Sequence, residues 1–346
     1  MNTTIIAFFN NKGGVGKTSL VYHLAWIYSE LGYRVVAADL DPQANLSMLF
    51  LGEDRLEELW SEGKQRNTIF GSVLPLCKGL GDISDPHLEI VADQLALLVG
   101  DIDLFQIESH LAESWSSFLS TQHYHQQETQ KQIISAFWRI MQNASVAHQA
   151  NIILMDLAPT LGAINRAALI AADYIVVPLS LDFFALKALT SLGIALQDWR
   201  KQWQEKLENK NLITDIKFPL GKMEQIGYVV LKHSVRFDRP VKTYQNLLTL
   251  IPKIYREAVL NNPGDSEISI ADDPNCLALL KNYQSLMLMA LEANKPIFQL
   301  KPADGIIGSH FTVVKSAYHD FEVLARKIAE RTQVFRKFSD TVRNSL

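Results

Sequence analysis

Apolar residues along this chain fall into short runs separated by glycine-rich or polar turns. Residues 3–9 are β-branched and aromatic, which is typical of a buried strand. From Thr18 to Leu31 the apolar positions recur at helical spacing, and 34–40 form a second apolar run. A strand, a loop, a helix and a second strand of nearly continuous apolar character indicate a parallel sheet covered on both faces. We therefore predict an α/β fold with a doubly wound, mostly parallel sheet flanked by helices.

The rest of the chain continues this alternation of strand-like and helix-like segments. Further segments with strand character are 88–100 (one strand and its continuation), 151–157, 173–180 and 225–233. Helical spacing covers 101–149, 161–171, 183–205 and 312–345, the last as one long C-terminal helix. No internal repeat and no convincing linker interrupts the pattern, so we expect a single domain over residues 1–346.

Composition narrows the class of protein without identifying it. The chain has 346 residues, of which 48% are hydrophobic and 20% charged, which is typical of a globular protein with a large core. Cys77 and Cys276 lie far apart and in no CxxC spacing, which argues against a disulfide framework and fits a reducing cytoplasm. No signal peptide is recognisable, and no apolar stretch approaches the roughly 20 residues needed to span a bilayer.

Charge is distributed unevenly, although the formal net charge is only −4. Residues 1–189 carry 11 Lys and Arg against 20 Asp and Glu, and the remainder carries 22 against 17. A basic C-terminal part favours a polyanion such as nucleic acid. Solvated basic helix faces would give the same counts, so the counts alone leave both interpretations open.

The turn between the first strand and the first helix has the residues of a phosphate-binding loop, NKGGVGKTS at 11–19. Its glycines let backbone N–H groups curl round an anion, and the start of the helix adds a partial positive charge. Lys17 would neutralise the β- and γ-phosphates, and Thr18 would offer its hydroxyl to Mg²⁺. The alternative, a glycine turn with an exposed lysine, does not account for the flanking strand and helix. A strict loop has glycine at position 11, whereas this chain has Asn11 followed by an additional lysine, Lys12.

Acidic residues follow two of the predicted strands. Asp156 ends an apolar strand, where a nucleotide site needs a carboxylate to hold the metal or its waters, although a buried structural Asp would look the same. Asp39 and Asp41 follow the second strand, and one of them could orient an attacking water. The residues alone do not choose between these two.

These motifs together resemble the ParA/MinD family of P-loop ATPases. KGGVGKTS resembles the family's deviant phosphate loop, DLDPQAN (39–45) its switch I, and IILMDLAPT (152–160) its second acidic strand. VPLSLDFFALKAL (177–189) is similar to a further family segment, with Ala188 where glycine is common. The resemblance runs in order over residues 3–50, 88–115 and 150–330. It implies the P-loop NTPase fold, ATP and Mg²⁺ as cofactors, and slow Mg-dependent ATP hydrolysis.

The resemblance also assigns roles to individual residues. In the family the additional lysine, here Lys12, reaches the nucleotide of a second subunit, so two ATP-bound subunits form a homodimer that hydrolysis takes apart. Lys12, Lys17 and Asp41 are then catalytic, with Asp41 orienting the water, and Asp39 is closer to a structural role. Metal ligation falls to Thr18, Asp41 and Asp156. Nucleotide contacts fall to Lys12, Gly13, Gly14, Val15, Gly16, Lys17, Thr18 and Ser19.

The DPQAN sequence matches ParA-like switch I better than MinD-like versions, which favours a ParA-like partition ATPase. Such a protein binds DNA without sequence preference as an ATP dimer, acts in the cytoplasm on the nucleoid, and hydrolyses ATP when a separate activating or cargo protein stimulates it. Salt-sensitive phosphate contacts would come from Lys and Arg. The candidates are Lys232, Arg236, Arg239, Lys242, Arg256, Arg326 and Arg331. Because the first strand begins by residue 3, we expect no helix-turn-helix before it and no sequence-specific binding.

Two other branches of the family stay open. Val334, Phe335, Phe338 and Val342 share one helical face near basic residues, which would suit a MinD-like membrane anchor, although the polar chain end makes a membrane the less favoured partner. A metabolic relative is the third branch, but its iron–sulfur members need interface cysteines that this chain lacks in its motifs. The segments 48–87 and 200–224 are longer than the family's core requires, and we expect surface insertions or partner-binding surfaces there.

Overall fold

The structure, a computed structural model, describes residues 2–61, 66–120, 124–208, 217–233, 242–264, 268–281, 283 and 285–334. Its strands are β1 (Thr4–Phe8), β2 (Val35–Asp39), β3 (Glu89–Ala92), β4 (Leu95–Leu98), β5 (Ile152–Asp156), β6 (Tyr174–Ser180), β7 (Glu224–His233) and β8 (Cys276–Lys281). Its helices are α1 (Lys17–Glu30), α2 (Asn45–Leu51), α3 (Glu53–Trp60), α4 (Ile69–Cys77), α5 (Glu108–Ser120), α6 (Tyr124–Ile134), α7 (Ala136–His148), α8 (Ala163–Ala171), α9 (Phe183–Leu207), α10 (Lys242–Ile254), α11 (Ser285–Glu292) and α12 (His310–Thr332). Short 3₁₀ turns lie at Ile102–Ile107, Ile297–Gln299 and Pro302–Asp304, and a π-helical turn at Tyr255–Val259.

The described strands form one eight-stranded sheet in the order β3-β4-β2-β5-β1-β6-β7-β8. Every neighbouring pair is parallel except β3 and β4, which are antiparallel. The predicted α/β fold with a mostly parallel, doubly wound sheet is therefore confirmed. β1 has later strands of the chain on both sides, so the strand order reverses there. Open sheets of this kind bind ligands beyond the carboxyl ends of the strands at the point of reversal.

Helices cover both faces of this sheet, and each face has its own core. Alternate side chains of β1 point to opposite sides, so Ile5 and Ala7 belong to one core and Ile6 and Phe8 to the other. The first core takes buried residues from α4, α5, α7, α8 and α9, and the second takes them from α1, α2, α3, α11 and α12. The sheet is thus buried on both faces, which explains why its strands are apolar throughout.

Two predicted elements differ in the structure. Residues 88–100 form an antiparallel hairpin of β3 and β4 rather than one strand with its continuation, because the chain turns at Asp93 and Gln94. The C-terminal helix predicted over 312–345 begins at His310, and α12 ends at Thr332, since Gln333 has a left-handed φ of 57°. Residues 335–345 of this prediction lie outside the described part of the chain.

The C-terminal membrane face predicted from sequence is only partly within the described residues. Val334 is 1% exposed and packs in the second core, so it is not available to a lipid surface. Phe335, Phe338 and Val342 lie outside the described residues. Across the part of the chain that the structure describes, no helix is long and apolar enough to cross a membrane.

The two longer segments are partly built into the fold. Within 48–87, α3 contributes Leu56 to the second core and α4 contributes Ile69 to the first. The stretch predicted as an insertion from residue 200 begins inside α9, which continues to Leu207. β8 was not predicted at all, and it forms the edge of the sheet beside β7.

Candidate nucleotide-binding site

The loop between β1 and α1 turns through two left-handed glycines. Gly14 has a φ of 72° and Gly16 a φ of 91°, a conformation that glycine adopts without the strain of a side chain. Gly16 also lies close to its surroundings, since an added Cβ would be 3.0 Å from Leu231 Cδ1. The helix α1 then begins at Lys17 without a side-chain cap, so its first amides are left to bind an anion.

Asn10 fastens the start of this loop to β6. Its Nδ2 donates to the Pro178 carbonyl at 2.8 Å, and its Oδ1 accepts from the Lys12 amide at 3.0 Å. Asn10 is completely buried, and its bond to the Pro178 carbonyl is shielded from water. The sequence analysis did not single out this residue, although it fixes where Lys12 leaves the loop.

Lys17 and two carboxylates meet behind the loop. Lys17 is only 6% exposed, and its Nζ lies 3.4 Å from the Lys12 carbonyl oxygen. Burial lowers the pKa of Lys17, while the negative charges of Asp156 and Asp41 oppose that shift. Asp41 is also buried, and its Oδ1 accepts from the Gln43 amide at 2.9 Å. An ammonium held here can neutralise phosphate oxygens at close range.

Asp39 and Asp156 stand opposite each other on neighbouring strands but have different surroundings. The Oδ2 of Asp39 accepts from the amide and the hydroxyl of Ser47, both at 2.8 Å, and its Oδ1 accepts from the Asp41 amide at 3.2 Å. Burial raises the pKa of Asp39 to about 7, and those bonds limit the rise. Asp39 is thus occupied in holding the loop that carries Asp41, as a structural residue would be.

Asp156 has no such set of partners. It is completely buried and neither oxygen makes a hydrogen bond of good geometry, though the Thr18 hydroxyl lies close enough to favour ionisation. Burial is the main cause that raises the pKa of Asp156 well above its usual range, and the negative charge of Asp39 is the second. A buried carboxylate without partners is costly unless a cation or an ordered water serves it.

This arrangement fits the Mg²⁺ that such a site needs. No cluster of three or more metal-binding side chains occurs in the residues that the structure describes. Mg²⁺ takes only one or two carboxylates and otherwise binds waters and phosphate oxygens. The Thr18 hydroxyl and the unpartnered Asp156 carboxylate are the groups that would hold it, the latter directly or through water.

The side chain of Lys12 binds residues of its own chain in this structure. Its Nζ donates to Ser180 Oγ at 2.9 Å and forms an ion pair with Asp182. Partial burial acts to raise the pKa of Asp182, but the bonds from Lys12 and Ser180 keep it below its ordinary value. Asp182 also caps α9, because its Oδ1 accepts from the Ala185 amide at 3.0 Å.

A cavity of about 710 Å³ opens onto the loop, within the size range of small-ligand sites. Its lining includes residues of the loop and its neighbours, namely Gly13, Gly14, Gly16, Lys17, Thr18, Ser19, Asp41 and Pro159. It also includes the apolar or aromatic residues Leu231, Leu280, Tyr283, Met287, Leu291 and Phe321. Anion-binding and apolar residues in one cavity suit a nucleotide, whose phosphates would lie at the loop and whose base would contact apolar side chains.

Only some of the residues predicted to contact DNA belong to the described part of the chain. Arg236, Arg239 and the side chains of Lys232 and Lys242 lie outside the described part. Of the others, Arg256 Nε donates to the Pro252 carbonyl at 3.3 Å, and Arg326 pairs with Glu322 at 2.8 Å.

Arg331 has a clear structural role. Its guanidinium donates to the carbonyls of Ile226 and Pro274, near the starts of β7 and β8 and so at the opposite end of the sheet from the loop. None of the three described candidates, Arg256, Arg326 and Arg331, lines the nucleotide cavity.

Comparison with known proteins identifies the family. The AAA_31 family, described as an AAA domain, matches residues 3–209. The chain belongs to this family. It is 27% identical to the chromosome partitioning protein ParA of Caulobacter vibrioides over 209 residues, which is 60% of this chain and 68% of that protein. It is 28% identical to IncC of Escherichia coli over 254 residues, which is 73% of this chain but only 57% of IncC. The resemblance to ParA-like P-loop ATPases is thereby confirmed.

Solved structures agree on the fold. The ATP complex of McdA from Cyanothece superposes with a TM-score of 0.61, covering 95% of this chain and 96% of McdA at 14% identity. At that identity the likeness concerns the fold alone. The site itself therefore depends on the geometry of Lys17, Thr18, Asp41 and Asp156 in this chain.

Proposed function

We propose that this chain is a Mg-dependent ATPase that dimerises with ATP, binds DNA nonspecifically in the cytoplasm, and positions a DNA or protein cargo. In this proposal a separate partner protein stimulates hydrolysis. The observation that carries the proposal is the convergence of Lys17, Thr18 and Asp41 on one cavity, with the unpartnered Asp156 behind them. Sequence similarity to ParA and IncC supports the partition branch. The ParA-like sequence DPQAN, in the loop that carries Asp41, supports it as well.

The chain's own groups account for the chemistry. Backbone amides at Gly13 to Thr18 cradle the phosphates, and Lys17 neutralises their charge within a buried site, where such a charge acts strongly. The bound Mg²⁺ would neutralise charge that develops on the phosphoryl oxygens. Asp41 lines the cavity and orients the attacking water. Unaided turnover should stay far below the roughly 10 s⁻¹ of a typical enzyme, as in other switch ATPases.

Dimerisation is proposed to use Lys12. A lysine on the rim of a phosphate loop can reach the phosphates of a second, facing copy, and two facing loops make a self-complementary contact. Exposed apolar residues border the same edge of the sheet: Leu161 after β5, and Phe183 and Phe184 after β6. These side chains would be covered when two copies face each other.

The decisive experiment uses the Asp41→Ala variant with ATP and Mg²⁺. We expect it to bind ATP, to hydrolyse it at least about 100-fold more slowly than the wild type, and to remain dimeric. The trapped protein is titrated with random-sequence duplex DNA at two salt concentrations, and with anionic liposomes in parallel. Lys17→Ala, which removes the phosphate-binding ammonium, is the matched control and should bind neither ATP nor DNA.

ATP-dependent DNA binding that weakens at the higher salt concentration would support the ParA-like proposal. Binding to liposomes alone would replace it with the membrane branch. Binding to neither would assign the ATP dimer to a protein or small-molecule partner. Normal turnover by Asp41→Ala would show that another residue orients the water.

A further inference from the structure

The loop that follows β5 lies against the phosphate loop. It runs from Leu157 to Gly162, between Asp156 and the start of α8. Pro159 lines the same cavity as Asp41, and its Cγ would be 3.8 Å from a Cβ placed on Gly13. On the proposed function, the cavity receives the terminal phosphate at the phosphate loop, which Pro159 approaches. We call residues 157–162 the β5–α8 loop.

Asn165 holds this loop from within α8. Its Nδ2 donates to the carbonyl oxygens of Ala158 and Thr160, both at 2.7 Å, and lies 3.1 Å from Thr160 Oγ1. One side-chain amide thus binds the backbone on both sides of Pro159. Asn165 is completely buried and does not line the cavity, so it acts on the nucleotide only through the loop.

Glu108, from a different helix, fixes the start of α8 directly after this loop. α8 has Gly162 at its N-cap position, and this glycine offers no side-chain cap. The cap comes instead from α5, where Glu108 accepts from the amides of Ala163 at 2.5 Å and Ile164 at 3.0 Å. A Cβ at position 162 would lie 2.5 Å from Glu108 Oε1, so the glycine makes room for this carboxylate. A negative charge at a helix start is favourable.

We infer that Glu108 and Asn165 are positioning residues for ATP hydrolysis. They come from two helices. Asn165 binds the backbone of the β5–α8 loop, and Glu108 binds the first turn of α8 directly after it, so that together they hold Pro159 in place against the phosphate loop. This inference rests on the proposed function. A nucleoside diphosphate, which lacks the terminal phosphate, should bind with little dependence on Glu108 and Asn165. Hydrolysis depends strongly on these two residues, because small displacements of catalytic groups cost about 100-fold in rate.

The test compares Asn165→Ala, Glu108→Ala and the milder Glu108→Gln with the wild type. Asn151→Ala is the matched control, since Asn151 Oδ1 accepts from the Arg34 amide at 2.7 Å beside the opposite end of β5. Thermal unfolding checks that each variant is folded. We expect kcat to fall about 10- to 100-fold in the two alanine variants, with ADP affinity within about twofold of wild type. Glu108→Gln keeps one acceptor oxygen and should lose less, while the control should keep its kcat.

The double variant Glu108→Ala/Asn165→Ala adds an independent measure. If both residues act through one loop, its loss of kcat should be smaller than the product of the two single losses. Folded variants with wild-type kcat would overturn the inference, and so would a loss of ADP affinity in proportion to kcat. Should an alanine variant not fold, Glu108→Gln decides by the same measures. A wild type that neither binds nor hydrolyses ATP would overturn the proposed function, and this inference with it.

Discussion

At the scale of single residues, Lys12 shows what could be predicted from the sequence and what could not. The additional lysine is visible in the loop, and the family resemblance assigns it to a second subunit. Its partner in this structure, Asp182, was not predicted as a site residue, because 170 positions separate the two. The one local signal was the place of Asp182 just before a helical pattern, where an N-cap is expected. Long-range pairs of this kind depend on the order of the strands in the sheet, which could not be predicted from this one sequence.

Removing the charge of Asp182 should favour the dimer. Asp182→Asn keeps an oxygen that can cap α9 at the Ala185 amide but removes the ion pair with Lys12. A partly exposed pair is worth about 0.2–1 kcal/mol, so releasing Lys12 in both subunits should tighten the ATP-dependent dimer roughly twofold to thirtyfold. Sedimentation of the variant in an Asp41→Ala background measures this. An unchanged dimer dissociation constant would show that the pair does not restrain Lys12.

The same experiment includes Lys12→Ala as a second variant. It should still bind ATP, because Lys17 and the loop amides remain. We expect no ATP-dependent dimer, since the proposed contact with the facing nucleotide is lost. Dimerisation equal to that of the parent protein would exclude the cross-subunit role of Lys12.

At the scale of elements, β1, β2, β5, β6 and β7 lie where the apolar pattern placed them. β3 and β4 were predicted as one continuous strand, because their turn, Asp93-Gln94, lacks the glycine that usually marks two-residue turns. β8 was missed because a short apolar run can belong either to a strand or to a buried helix. The cap of α8 by Glu108 could not be predicted, since it depends on two helices meeting.

Helix packing at Gly193 gives a prediction at this scale. A Cβ there would lie 1.8 Å from the Ala258 carbonyl oxygen, so α9 and the π-helical turn approach each other across a glycine. Gly193→Ala should lower the free energy of unfolding by about 1–3 kcal/mol, because the clash outweighs the better helix propensity of alanine. Ser191→Ala, at an exposed position of the same helix, is the control. Denaturant unfolding of both variants tests this, and equal stabilities would contradict the close approach.

At the scale of the whole molecule, His23 connects parts of the second core that are far apart in sequence. Its Nδ1 donates to the Ser19 carbonyl at 2.6 Å, its Nε2 accepts from the Ile297 amide at 3.2 Å, and its ring stacks on Phe321 of α12. Both ring nitrogens are used, which fixes the neutral form. Helix α1, which follows the glycine loop, is thereby fastened to the C-terminal part of the fold.

Acid should therefore weaken the fold through His23. Burial lowers the pKa of His23 from 6.5 to about 4 in the folded protein. The unfolded chain takes up the proton first, so this contribution to stability is complete above pH 6.5 and is lost as pH falls towards 4. His23→Gln cannot take up that proton. The free energy of unfolding of the wild type should thus fall by roughly 3 kcal/mol relative to the variant between pH 6.5 and 4. Denaturant titrations of both proteins across this range measure the difference, in which contributions from other titrating groups cancel. A difference that stays constant with pH would mean that His23 is protonated in the folded state as readily as in the unfolded chain.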